Sequence, residues 1–186
     1  MIRTRAGYTG GITPSPTYQR MGDHSEAVQV DFDPRVISYR ELLEVFWGRQ
    51  NPTKPNGKRQ YMNAAFYHHD EQKRLLEETR AEIAKGLAAP VTTQILPAGV
   101  FTRAEDYHQK FNLRGYPALM DAFFEKYPDF DDLVDSTEAA RVNGYLGGHG
   151  DRANLEAEME ALGLPEKVRM KVWEVMGTRF GWCPVE

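Results

Sequence analysis

Cysteine is almost absent from this 186-residue chain: Cys183, near the C-terminal end, is the only one. A lone thiol excludes an internal disulfide framework and makes a reducing compartment, the cytoplasm, the default expectation. Long apolar runs are missing too. None approaches the roughly 20 residues a spanning helix needs, so no membrane partner is expected. Basic blocks never exceed two residues, and 23 Lys and Arg against 27 Asp and Glu give a net charge of −4. That balance offers no footprint for nucleic acid. The N-terminal stretch Met1–Gly11 carries two arginines with no apolar core after them, unlike a secretory signal. Internal repeats and low-complexity segments are also missing.

What is present reads as a globular α+β chain. The pattern predicts a short strand over Ile2–Tyr8, stopped by Gly10-Gly11. A loop with two prolines follows over Thr13–Asp23. In Ser25–Asp33, Val28, Val30 and Phe32 alternate with Gln29 and Asp31, the two-residue period of a half-buried strand. Ser38-Tyr39-Arg40-Glu41 is a capping box, so a helix starts there, with Leu42, Leu43, Val45 and Phe46 at helical spacing. Further expectations are a strand over Gln60–His68, a charged helix over Asp70–Lys85, a strand over Val91–Leu96 and a helix from Glu105 through Phe111. After Pro128 the character changes. Asn143–Gly150, with four glycines, reads as a turn, and Asn154–Leu162 and Glu166–Met176 as a helical pair. The expected division is a main domain at 1–128 and a helical C-terminal extension at 129–186.

Metal and phosphate chemistry find little support in the residues. Glu105 and His108 make one i,i+3 pair, and a metal needs further ligands. His68 and His69, adjacent on a strand, would point to opposite faces. Gly7, Gly10 and Gly11 lack the Lys-Ser/Thr and helix start of a phosphate loop. No metal and no bound cofactor are expected.

Residues 7–28, GYTGGITPSPTYQRMGDHSEAV, carry the strongest signal. With FDPRVISYRELLEVFW at 32–47, RQYMNA at 59–64 and AEDYHQ at 104–109, this segment resembles the A-type peptide methionine sulfoxide reductases, and the match runs from Ile2 to Leu113. The resemblance implies a ferredoxin-like α/β sandwich, a mixed sheet with packed helices. It implies reduction of S-methionine sulfoxide, free or in oxidised proteins, as repair after oxidation, with thioredoxin or another thiol as electron donor. Such chemistry needs a thiolate to attack sulfur, an acid to protonate the departing oxygen, and a pocket for the methyl group. Glu26 falls on the family's acid in DHSEAV, and burial is one way to tune such a group. Tyr18 in SPTY and Tyr61 in RQYMNA fall on tyrosines whose hydroxyls face the sulfoxide oxygen. Asp106 and His108 fall on the supporting AEDYHQ segment.

The sequence departs from the family pattern in three respects, one of them the extension beyond Asp129, which is not part of the core family. The family's GCFWG segment, with the nucleophile and a central strand, has no counterpart among these residues. The expectation is therefore a longer natural chain carrying cysteine or selenocysteine before Phe-Trp-Gly; the alternative is a catalytically dead relative that binds methionine sulfoxide or methionine peptides. The loop PNGKRQY puts Asn56 where the family has an aspartate that organises substrate. Cys183 is a candidate resolving cysteine, able to form a transient disulfide with the first.

Overall fold

Ser38 begins the first helix by the predicted mechanism. In the computed structural model, which describes residues 1–55 and 57–182, the Ser38 backbone N–H donates to Glu41 at 2.7 Å and the Glu41 N–H donates back to the Ser38 hydroxyl at 3.2 Å. This helix, α1, spans Tyr39–Gly48. A second, α2 (Asp70–Ala84), is capped by His69, whose ring accepts from the Gln72 N–H. The Trp47 indole donates to the Thr79 hydroxyl at 2.9 Å, joining α1 to α2 over a core of Leu43, Trp47 and Leu76.

By contacts, the chain forms two compact units, one of residues 6–105 and one of residues 1–5 with 106–186. The first unit holds both helices above and most of the strands. β1 (Arg3–Thr9) lies between β2 (Ser25–Asp31) and β5 (Thr102–Arg103) in a three-stranded sheet. β3 (Ala64–Tyr67) and β4 (Gln94–Pro97) form a separate parallel pair, with α2 as the crossover that parallel strands require. The α+β class is as expected. The strands, however, are divided between two sheets, with β2 and β3 each at a sheet edge, instead of forming one mixed sheet. Gly7 lets β1 and β5 approach closely: a Cβ there would stand 2.5 Å from the Thr102 carbonyl oxygen.

Three expected elements are corrected. The Gln60–His68 strand is shorter, because Arg59–Tyr61 winds into a 3-10 turn and only Ala64–Tyr67 pairs. Val91–Leu96 begins pairing at Gln94, since Thr92 is instead tied to the loop after α1, its N–H donating to the Pro52 carbonyl at 2.8 Å. The Glu105–Phe111 helix is a 3-10 turn at Asp106–His108 followed by a break, where Lys110 takes a left-handed backbone (φ 48°).

In the second unit Lys110 is buried and donates to the Thr4 carbonyl at 2.7 Å; burial pushes its ammonium down to about 8. Six helices follow: α3 (Phe111–Arg114), α4 (Pro117–Lys126), α5 (Phe130–Asp135), α6 (Thr137–Leu146), α7 (Arg152–Ala161) and α8 (Glu166–Phe180). Asp129, Ser136 and Asp151 cap α5, α6 and α7 with side-chain oxygens. The Asn143–Gly150 turn is corrected as well. α6 continues through Asn143 and Gly144 to Leu146, and only the glycines beyond it turn. The Asn143 side chain accepts from the N–H groups of Asn112 and Leu113 at 3.0 and 3.2 Å, a tie between α6 and α3 that favours the helical course. Leu119, Phe123, Leu133, Val142, Leu146, Leu155, Val172 and Met176 are fully buried in one core.

Candidate active site

Asp23 organises the loop that enters the site. Its carboxylate accepts from the Ile12 and Thr13 backbone N–H groups at 2.9 and 3.0 Å and from the Thr13 hydroxyl at 2.7 Å. Those bonds, led by the Thr13 backbone N–H, hold the carboxyl well below the usual carboxylate range. His24 is buried. Its Nε2–H donates to the Thr13 carbonyl at 2.8 Å, since a carbonyl oxygen only accepts. Arg59 closes the arrangement, donating to the Gly10 carbonyl at 2.7 Å and to the Asp23 carbonyl. Ser25 donates its hydroxyl to the Arg59 carbonyl at 2.8 Å. The start of β2 is thereby pinned to the 3-10 turn at Arg59–Tyr61.

This pinning brings three predicted residues together. Gln60 Nε2 donates to Glu26 Oε1 at 2.8 Å, and the next residue, Tyr61, lies with its hydroxyl 3.1 Å from that of Tyr18. The Tyr61 phenol is raised above its ordinary value of 10. The bond with Tyr18 is the chief cause, followed by partial desolvation and the negative charges of Tyr18 and Glu26. The group faces solvent: Tyr18 is 37% exposed, Tyr61 57%, and Glu26 is exposed as well. The burial expected as a means of tuning Glu26 is therefore not supplied by the described residues.

The sequence offers Glu105 only as a helix start and half of an i,i+3 pair; its place in the fold is different. One of its oxygens accepts from the Tyr18 backbone N–H at 3.1 Å and the other from the hydroxyl of the buried Tyr8. It fixes where Tyr18 stands. The neighbouring Asp106 and His108, predicted as supports, belong to the second unit and lie on its first 3-10 turn. Glu105 stands in the same motif, but only its contacts with Tyr8 and Tyr18, far away in sequence, reveal this use. Asn56 and Cys183 lie outside the described residues. Among the described residues, no group of three or more His, Cys, Asp or Glu side chains is placed to hold a metal ion, and no helix is long and apolar enough to cross a membrane.

The pairing of phenols has a measurable consequence. In Tyr18→Phe the hydroxyl partner is gone, so the Tyr61 phenol should titrate closer to its ordinary value. Ultraviolet titration of the variant against the native chain reads this directly. Because the pairing favours the neutral phenol, it is intact below the ordinary tyrosine range and is lost as pH rises through the raised value. An unchanged Tyr61 titration would mean that the hydroxyls do not meet in solution.

The family model for peptide methionine sulfoxide reductase matches residues 1–121. A peptide methionine sulfoxide reductase of Drosophila melanogaster is 40% identical over 167 residues, covering 88% of this chain and 66% of its own. The MsrA reductase of Nitrobacter winogradskyi is 48% identical over 118 residues, covering 60% and 66%. The chain thus spans just under two thirds of the length of these relatives. The reduced-form crystal structure of Mxr1 from Saccharomyces cerevisiae superposes with a TM-score of 0.55 at 31% identity, covering 61% of this chain and 71% of that one. Methionine sulfoxide reductase A of Corynebacterium diphtheriae gives 0.50 at 29%, covering 62% and 64%. Sequence and fold agree with the motifs at 7–28, 59–64 and 104–109, and the chain belongs to the peptide methionine sulfoxide reductase family.

Proposed function

We propose that this chain serves a peptide-methionine (S)-S-oxide reductase, supplying the groups that hold and protonate the sulfoxide oxygen. The observation that carries the reading is the convergence of Tyr18, Tyr61 and Glu26 around the turn at Arg59–Tyr61. The two phenols donate to the oxygen and Glu26 delivers the proton to it. A thiolate supplied from outside this sequence, whose one cysteine is Cys183, attacks the sulfur. The oxygen passes to that thiol as a sulfenic acid, and methionine is released. A second thiol then condenses with the sulfenic acid, giving a disulfide and water. Thioredoxin or another thiol returns the electrons. Cys183 is proposed as the second thiol, and Asp106, His108 and Asn56 as supports of the substrate site. The substrates are oxidised proteins or free methionine sulfoxide, in the cytoplasm. Residues 1–128 are proposed as the reductase domain and 129–186 as a helical extension, a division supported by the family match, which ends at residue 121, but not by the compact units, which part at residue 105.

The test uses separated S and R epimers of a methionine sulfoxide peptide, with dithiothreitol or a thioredoxin system. The S epimer should be consumed at least about a hundredfold faster, as expected when a polar site rejects the wrong geometry. Equal rates would overturn the proposal. One observation favours a second reading: Cys183 is the sole thiol in the sequence. Saturable binding of methionine sulfoxide without turnover would establish the chain as a binding relative.

A further inference from the structure

The helical unit carries a depression lined by rings and guanidinium groups. It has a volume of about 460 Å³, within the range of small-molecule sites, and is lined by Tyr107, Phe111, Arg114, Tyr116 and Arg179 among others. Among the described residues, no Asp or Glu lines it. This is notable in a chain with four more acidic than basic residues. Elsewhere in the unit Arg3 and Arg5 pair with Asp135, Arg141 with Glu158 and Arg152 with Glu156. Arg114 and Arg179 have no carboxylate partner among the described residues. Each lies over a ring instead. The Arg114 guanidinium is 5.5 Å from the centre of Phe130 and that of Arg179 is 5.1 Å from Phe180. Arg179 also donates to the Tyr116 hydroxyl at 2.8 Å. These contacts orient both guanidinium groups and neutralise neither.

Two other features favour a negative ligand with a flat body. Tyr116 is the N-cap of α4 and offers no side-chain cap; its carbonyl takes the Leu119 and Met120 N–H groups, and the positive end of the helix dipole lies at this lining residue. Phe111 and Tyr107, which also line the depression, are 74% and 50% exposed; Tyr107 packs one side of its ring on His108, 4.2 Å between centres.

We infer that this depression binds a small organic anion, a phosphate or carboxylate attached to a planar apolar group, with Arg114 and Arg179 gripping the oxygens and Phe111 and Tyr107 packing on the ring. A guanidinium meets such oxygens through paired N–H donors, and this favours both phosphate and carboxylate. Arg114 and Arg179 have no part in the proposed sulfoxide chemistry, and the two readings are tested separately.

Adenosine 5′-monophosphate and benzoate are suitable probes, titrated into the full chain by calorimetry, with neutral adenosine as control. At least one anion should bind saturably, and at least about tenfold more tightly than adenosine. The double variant Arg114→Ala/Arg179→Ala should lose at least about tenfold in affinity at unchanged helical circular dichroism. The variant Arg114→Lys/Arg179→Lys keeps both charges and guards against misfolding. It should bind at least about threefold more weakly, because the ammonium lacks the fork. Absence of saturable binding by either anion, equal binding of adenosine, or native affinity in the lysine pair would each overturn the inference.

Discussion

Replacing Glu26 by glutamine should lower thiol-dependent reduction of the S sulfoxide by about 10²–10⁴-fold, the usual contribution of a positioned acid. Binding of the sulfoxide should change by no more than roughly threefold, because a proton delivered in the transition state contributes little to ground-state affinity. The substitution is gentle on structure. Glutamine keeps the shape and still offers an oxygen to Gln60 Nε2, the contact now made at 2.8 Å. Glu26 is also exposed, so no buried group loses its partner. What disappears is the carboxylic proton. Rate and affinity measured side by side therefore separate the acid from a mere lining residue. A variant that reduces the sulfoxide at the native rate would remove Glu26 from the chemistry. Native protein that binds but never reduces would transfer the function to the binding reading, whatever the variant does.

The second large effect lies in the helical unit. Phe123 is fully buried among residues of five other helices, in a core that includes Leu119, Leu133, Val142, Leu155 and Val172. Phe123→Ala should cost about 3–5 kcal/mol, from lost transfer energy and the cavity left behind. Domains of this kind have only about 5–15 kcal/mol in all. The variant should thus unfold at markedly lower urea, with little change in slope. Phe123→Leu, which nearly conserves volume, should cost less than about 1.5 kcal/mol. A loss below about 1 kcal/mol for the alanine variant would show that the helices after Pro117 do not share a tightly packed core.

Local physics made part of this legible in advance. The capping box at Ser38 and Glu41 needs only four consecutive residues, and it appears as read. The alternation in Ser25–Asp31 is a two-residue rule and marks β2 within two residues of its end, but its apolar side is not the covered one: Val28 and Val30 are 67% and 38% exposed. The motifs around Tyr18, Glu26 and Tyr61 name the family without any coordinates, and the family match covers all three. Glycine misled the reading at Gly144, because its low helix propensity says nothing of Asn143 beside it, whose side chain bonds to the start of α3. α4 went unseen because its start is a proline and its buried face, Leu119, Met120, Ala122 and Phe123, gives no clean stripe.

Other features depend on residues far apart in sequence meeting in space. Tyr18 and Tyr61 are separated by 43 positions, and their contact exists because Arg59 and Ser25 hold the turn against the loop. Glu105 positions Tyr18 across 87 positions, and no local pattern announces it. The distribution of strands over two sheets follows from pairing, which period-2 alternation cannot specify. The solvent exposure of Glu26 is likewise a sum over everything packed near it. Composition, caps and motifs are properties of neighbouring residues, so a chain carries them in plain view. Sheet order, burial and the meeting of distant hydroxyls are properties of the folded chain, because each depends on contacts that only folding creates.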